Sequence, residues 1–178
     1  VDPAGNVYVT GGSVGTGSGA DIATVKYDGA GKEIWAVRYD GPDHDQDAPV
    51  GIGLDANGAV YVAGESYGTE LHSDYVVLKY DGAGGALWTT RYRYPNSLAN
   101  YAIAMRVDKV GNVYVTGGST DVVDGRGFVL TVKCDGSGKV LWAQRAVVPG
   151  SFDNQVAAMV VDNRGSVVVA GRSTDLNG

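Results

Sequence analysis

The chain has 178 residues, with 14 Lys and Arg against 20 Asp and Glu and a formal net charge of −6. That balance argues against a nucleic-acid partner, which needs clustered positive charge. No apolar run reaches the ~18 residues of a membrane-spanning helix, and a single cysteine leaves no internal disulfide.

The first element is a tight turn, Asp2-Pro-Ala-Gly5, followed by the strand Asn6-Val-Tyr-Val-Thr-Gly11. An Asp followed three residues later by Gly is turn chemistry: the carboxylate accepts nearby backbone N–H groups, and Gly takes a positive φ. Next come a strand at about Asp21–Tyr27, the turn Asp28–Gly31, and a strand at Glu33–Tyr39 that carries Trp35. A short apolar strand, Pro49–Leu54, opens the next cycle, and the series then recurs. The turn Asp55–Gly58 leads to the strand Ala59–Gly64, then to Tyr75–Tyr80, the turn Asp81–Gly84, and Ala86–Tyr92 with Trp88. The third cycle runs Ala102–Val107, Asp108–Gly111, Asn112–Gly117, Phe128–Cys134, Asp135–Gly138, and Val140–Ala146 with Trp142. The fourth gives Val156–Val161, Asp162–Gly165 and Ser166–Gly171. These runs are rich in β-branched and aromatic residues, and no window shows an apolar stripe at helical spacing.

Trp35, Trp88 and Trp142 stand 53 and 54 residues apart, as do the turns and strands around them. A fixed period of this length means stacked modules. Four strands per period, labelled A to D, predict an all-β fold: a β-propeller of four-stranded antiparallel blades. The expected units are 1–48 (strands B, C and D), 49–101, 102–155 and 156–178 (strands A and B), or about three and a third blades in an incomplete ring or arc. Small residues in strand A suit a crowded position near the axis. An arc leaves two open edges, so the chain is expected to be completed by remaining blades or by another chain.

The segment Val1-Asp-Pro-Ala-Gly-Asn-Val-Tyr-Val-Thr-Gly-Gly-Ser13 and the Lys-Tyr-Asp-Gly-x-Gly-x-x-x-Trp stretch resemble the SBBP family, a bacterial β-propeller repeat. The resemblance covers essentially the whole chain. It implies a seven-bladed propeller in a secreted or cell-envelope protein and no particular activity. Cys134 and Ala146 stand where the earlier cycles have tyrosines, Tyr27 and Tyr80 for the first, Tyr39 and Tyr92 for the second. The Asp-x-x-Gly-x-x-x-Trp stretch also looks like the tryptophan-docking turn of quinoprotein propellers, where it is a staple between blades.

Function is expected away from the recurring residues. The A–B and C–D turns are short and alike and share one face. The B–C connections (12–20, 65–74, 118–127) and the D–A connections (40–48, 93–101, 147–154) emerge on the other face and all differ. Variable loops on a rigid scaffold are where binding residues concentrate. The most polar is Asp40-Gly-Pro-Asp-His-Asp-Gln-Asp47, and the next B–C connection adds Glu70, His72 and Asp74. Asp43, His44, Asp45, Asp47 and His72 form a candidate metal set, calcium first and a transition metal second, although the spacing does not match an EF-hand and a solvated acidic loop is the plain alternative. Tyr67, Tyr94, Tyr101 and Phe152 are candidate stacking residues for sugar or peptide. No catalytic motif appears, neither a Gly-x-Ser-x-Gly elbow nor His-Glu-x-x-His nor a phosphate-cradling Gly-rich loop. The expectation is a non-catalytic surface module that binds protein or polysaccharide. A glycan-active hydrolase or lyase and an assembly subunit are the alternatives.

Overall fold

The computed structural model describes residues 1–68 and 72–175. Among the described residues there are 13 strands and no helix: β1 (Val7–Val14), β2 (Ala20–Tyr27), β3 (Glu33–Tyr39), β4 (Asp47–Leu54), β5 (Val60–Tyr67), β6 (Ser73–Tyr80), β7 (Ala86–Tyr92), β8 (Ser97–Val107), β9 (Val113–Asp121), β10 (Gly127–Cys134), β11 (Val140–Ala146), β12 (Asp153–Val161) and β13 (Val167–Thr174). They make four antiparallel sheets, β1-β2-β3, β4-β5-β6-β7, β8-β9-β10-β11 and β12-β13. Each sheet packs on the next in chain order: β4 lies against β1 and β2, β8 against β4, β5 and β6, and β12 against β8, β9 and β10. The stacking is propeller-like.

The turns have the expected chemistry. Asp55 Oδ1 accepts the backbone N–H groups of Asn57 and Ala59, its Oδ2 accepts the Tyr61 hydroxyl, and Gly58 takes a φ of 80°. The same pattern caps the turns at Asp2 and Asp108. These bonds favour the charged carboxylate. The Asn6 side chain, then its backbone N–H, hold the Asp2 carboxyl down at about 2. The backbone N–H groups of Ser166 and Arg164 lower that of Asp162. A depressed folded pKa gives stability that is complete above the unfolded value of 3.8 and is lost as pH falls through the folded value. The urea midpoint should therefore hold steady down to about pH 5 and fall between about pH 4 and 2. Asp162→Asn should flatten part of that acid slope, read from midpoints measured at each pH.

Strand alternation divides the core between two junctions. Val60 and Val62 of β5, with Val76 and Leu78 of β6, face the first sheet and meet Ile22, Trp35 and Val37. Tyr61, Ala63, Tyr75 and Val77 point the other way and pack on Ala102, Met105, Val113 and Leu130 of the third sheet. The small residues of strand A do relieve crowding: a Cβ at Gly51 or Gly53 would run into Met105 or Val107 of β8. Cys134 joins the second cluster, and burial pushes its thiol up to about 11. The thiolate is the reactive form. Its reaction with a disulfide reagent at pH 8 should be at least about 100-fold slower in the native protein than in urea.

Each strand A begins earlier than its apolar run suggests, at Asp47, Ser97 and Asp153. The polar starts pair with the end of strand B, as in Asp47↔Ser66, Asn100↔Ser119 and Asn154↔Ser173. A register shift then falls at Pro49/Gly51, Ala102/Ala104 and Val156/Ala158. Opposite these bulges stand Gly64, Gly117 and Gly171, where the neighbouring carbonyls of Ala48, Tyr101 and Gln155 occupy the space of a Cβ. The connections are shorter than expected as a result, and the D–A ones reduce to residues 40–46, 93–96 and 147–152.

Two of the three tryptophans join sheets. Trp35 Nε1 and Lys26 Nζ both donate to the Gly82 carbonyl in the next sheet's turn, each at 3.1 Å. Trp88 Nε1 and Lys79 Nζ donate to the Gly136 carbonyl at 3.1 and 3.0 Å. Within each sheet the Trp edge meets a tyrosine at 6.1, 6.0 and 6.4 Å between centroids (Tyr8, Tyr61, Tyr114), and the lysine lies over the same tyrosine ring. The staple expected from the sequence is thus a shared carbonyl acceptor flanked by an aromatic pair and a cation.

Candidate functional site

The ends of the strands on the variable-loop face bring three carboxylates together at the first junction. Asp21 is the second residue of β2, Asp40 follows β3, and Asp47 opens β4. One oxygen from each lies within 4.8 Å of the others. Asp21 and Asp47 are each 1 % exposed, whereas Asp40 is open to solvent.

Each carboxylate has a distinct environment. Asp21 Oδ2 accepts from Arg38 Nη1 and from Ser18 Oγ, both at 2.8 Å. Burial works against the Asp21 charge, but the Arg38 guanidinium and the Ser18 hydroxyl outweigh it and hold the carboxyl low. Asp40 Oδ2 pairs with His44 Nδ1 at 2.7 Å, and that contact raises the His44 pKa. Asp47 Oδ2 accepts the Gly41 backbone N–H at 2.7 Å. Burial raises the Asp47 carboxyl, the Gly41 N–H eases it, and the charges of Asp21 and Asp40 raise it further. The remaining buried oxygens, Asp21 Oδ1 and Asp47 Oδ1, have no hydrogen-bond partner. Ser66 Oγ, although beside Asp47, makes no hydrogen bond of good geometry. Buried and unpartnered acceptors of this kind are costly unless a proton or cation meets them.

Only one of the five metal candidates read from the sequence belongs to this group. Asp47 is in it, and His44 touches it through Asp40. Asp43 and Asp45 are exposed on the connection; Asp43 lies beside Gly68, and Asp45 Oδ1 accepts the Gln46 N–H. His72 Nδ1 bonds the Leu98 carbonyl at the second junction. Glu70 lies outside the described residues. Asp21 had no place in the sequence-derived set, and Asp40 entered the reading only as the first residue of the acidic connection. The available signal lay in comparing cycles: Asp47 stands where the other cycles have Asn100 and Asn154.

The four aromatic candidates are half-buried, not exposed. Tyr67 and Tyr101 lie in β5 and β8, not in loops. The Tyr101 ring covers Gly118 so closely that a Cβ would not fit there. Tyr94 and Phe128 hold the Arg145 guanidinium at 4.9 and 4.0 Å from their centroids. Phe152 is tied by its backbone to Gly127 and Thr174. Packing accounts for Tyr94 and Tyr101, so these two rings are not free stacking platforms. A concavity of about 590 Å³ opens on the uniform-turn face, between the Asp108 and Asp162 turns.

No family model matches the chain, and no curated protein matches it. No helix among the described residues is long and apolar enough to cross a membrane.

Proposed function

We propose that the chain is a non-catalytic binding and scaffold module of the SBBP propeller type, acting outside the bacterial cell or on its envelope. Its ring is closed by further blades or by another chain, and its ligand is protein or polysaccharide. The observation that carries this reading is the asymmetry of the two faces. On one face every turn repeats the same Asp-capped geometry, and two of them accept the same inter-sheet staple. On the other, D–A connections of different length and B–C connections of equal length but unlike sequence project from equivalent strand ends. Rigid repeats that present unlike loops on one side are the arrangement of a recognition surface.

The test is a glycan and envelope-protein binding screen with the immobilised chain, repeated after exchanging residues 40–46 for the shorter 93–96 connection. Binding that disappears with the exchange, and survives Lys32→Ala on the turn face, supports the reading. Turnover of dye-linked polysaccharides by the unmodified chain would overturn it in favour of a glycan-active enzyme.

A further inference from the structure

The three junctions in this chain are built on one plan, with one substitution that changes its chemistry. At the second junction Asn100 Nδ2 donates to the Ser73 carbonyl of the preceding sheet at 3.3 Å, and Ser119 Oγ donates to Asn100 Oδ1 at 2.8 Å. At the third, Asn154 Nδ2 donates to the Gly127 carbonyl at 2.9 Å, and Val148 N–H donates to Asn154 Oδ1 at 3.2 Å. The amide thus uses its oxygen within its own side of the joint and its nitrogen to reach across.

The first junction keeps the oxygen half of this plan and loses the nitrogen half. Asp47 Oδ2 accepts the Gly41 N–H, as Asn154 Oδ1 accepts that of Val148. Ala20 is the repeat equivalent of Ser73 and Gly127, paired with Val14 as they are with Tyr67 and Thr120. An ionised Asp47 has no hydrogen to donate to that carbonyl, and its Oδ1 is left buried without a partner. Asp21 Oδ1 is buried and unpartnered in the same group. Two buried acceptors, a carbonyl position that expects a donor and a third carboxylate at the rim all call for positive charge at one point.

We propose that Asp21, Asp40 and Asp47 hold a calcium ion that bridges the first and second sheets and replaces the asparagine cross-link of the other junctions. Calcium takes oxygen ligands at about 2.3–2.6 Å, so two ligand oxygens stand at most about 5 Å apart. The observed group, with its oxygens within 4.8 Å, fits that limit. Magnesium demands a tighter octahedron at about 2.0–2.1 Å, and zinc prefers nitrogen and sulfur ligands. The charges facing the ion are arranged to tolerate it. Arg38 engages Oδ2 of Asp21 and leaves its Oδ1 unpartnered, and His44 engages Oδ2 of Asp40. The exposed side of Asp40 leaves room for water to complete the shell. The ion is a structural clamp and is independent of what the loop face binds.

The test is thermal unfolding of the whole chain at pH 7 in EDTA and in calcium chloride, for the native protein and for Asp47→Asn and Asp40→Asn. At a calcium concentration about a hundredfold above the dissociation constant, the native midpoint should rise by about 5–10 °C. Asp47→Asn restores the amide of the other junctions. It should unfold at a higher temperature than the native chain in EDTA and lose the calcium response. Asp40→Asn, at the exposed rim, should fold normally and lose most of that response. No calcium shift in the native protein would overturn the proposal and leave a protonated Asp47 as the cross-link. An equal shift with magnesium, or an undiminished calcium shift in both variants, would overturn it as well.

Discussion

Gly117→Ala should lower stability by about 4 kcal/mol or more, whereas the same substitution at Gly11 should change it by no more than about 0.5 kcal/mol. The two glycines hold the same place in the Val-Tyr-Val-Thr-Gly motif. Their surroundings decide the outcome. Gly117 lies opposite the β8 bulge, where an added Cβ would overlap the Tyr101 carbonyl oxygen and press on Ala102 Cα and the Tyr75 hydroxyl. That hydroxyl is buried and donates to the Leu130 carbonyl, so it has little freedom to retreat. Relief requires moving a bulged strand within the core, which is why the effect belongs among the largest of single substitutions. Gly11 faces open space, with no atom within 4 Å of an added Cβ. There alanine restricts the unfolded chain, and a slight gain is the expected result. Urea unfolding of the two variants, followed by tryptophan fluorescence, checks the contrast.

Trp88→Ala should cost about 3–5 kcal/mol, with a smaller loss for Trp142→Ala. Both side chains are half-buried and both meet a tyrosine edge-on. Trp88 in addition donates to the Gly136 carbonyl, and its ring covers Gly138, whose φ of 88° and missing Cβ let the turn lie flat on the indole. Trp142 makes no hydrogen bond among the described residues. Gly138→Ala should damage the same joint, because its Cβ would meet the Trp88 ring at 2.9 Å in a backbone conformation that disfavours alanine. The combined variant should lose less than the sum of the two, since each change breaks a contact the other needs. Thermal midpoints of the two single variants and the double variant measure that coupling.

Most of the architecture is legible in the sequence because it is written in local chemistry. Asp and Gly fix the turns, β-branched residues fix the strands between them, and the period gives the order of the sheets. The beginning of strand A is not legible. Asp47, Ser97, Asn100 and Asp153 read as loop residues, yet the strand extends through them because their backbones pair with the end of strand B, while Asp47 and Asn100 direct polar groups into the joint. The carboxylate group was obscured for a related reason. Asp43, His44, Asp45 and Asp47 are neighbours in the chain, but an exposed connection gives them no common direction. Asp21 is 26 residues before Asp47 and meets it through the packing of two sheets. His72 reaches the second junction and bonds a carbonyl there, far from the role its sequence neighbourhood suggested.

The inter-sheet staple has a sense of direction. At the two joints where it forms, the indole and the ammonium belong to the earlier sheet and the accepting carbonyl to the later one. In the second sheet, which takes part in both joints, the donor and acceptor surfaces therefore lie on opposite sides, and such a sheet cannot form this joint with a copy of itself turned about a twofold axis. Any contact between copies that reuses the staple must be heterologous, head to tail. Repetition of such a contact closes a ring when the rotation per sheet divides the circle, and otherwise winds into an open helix.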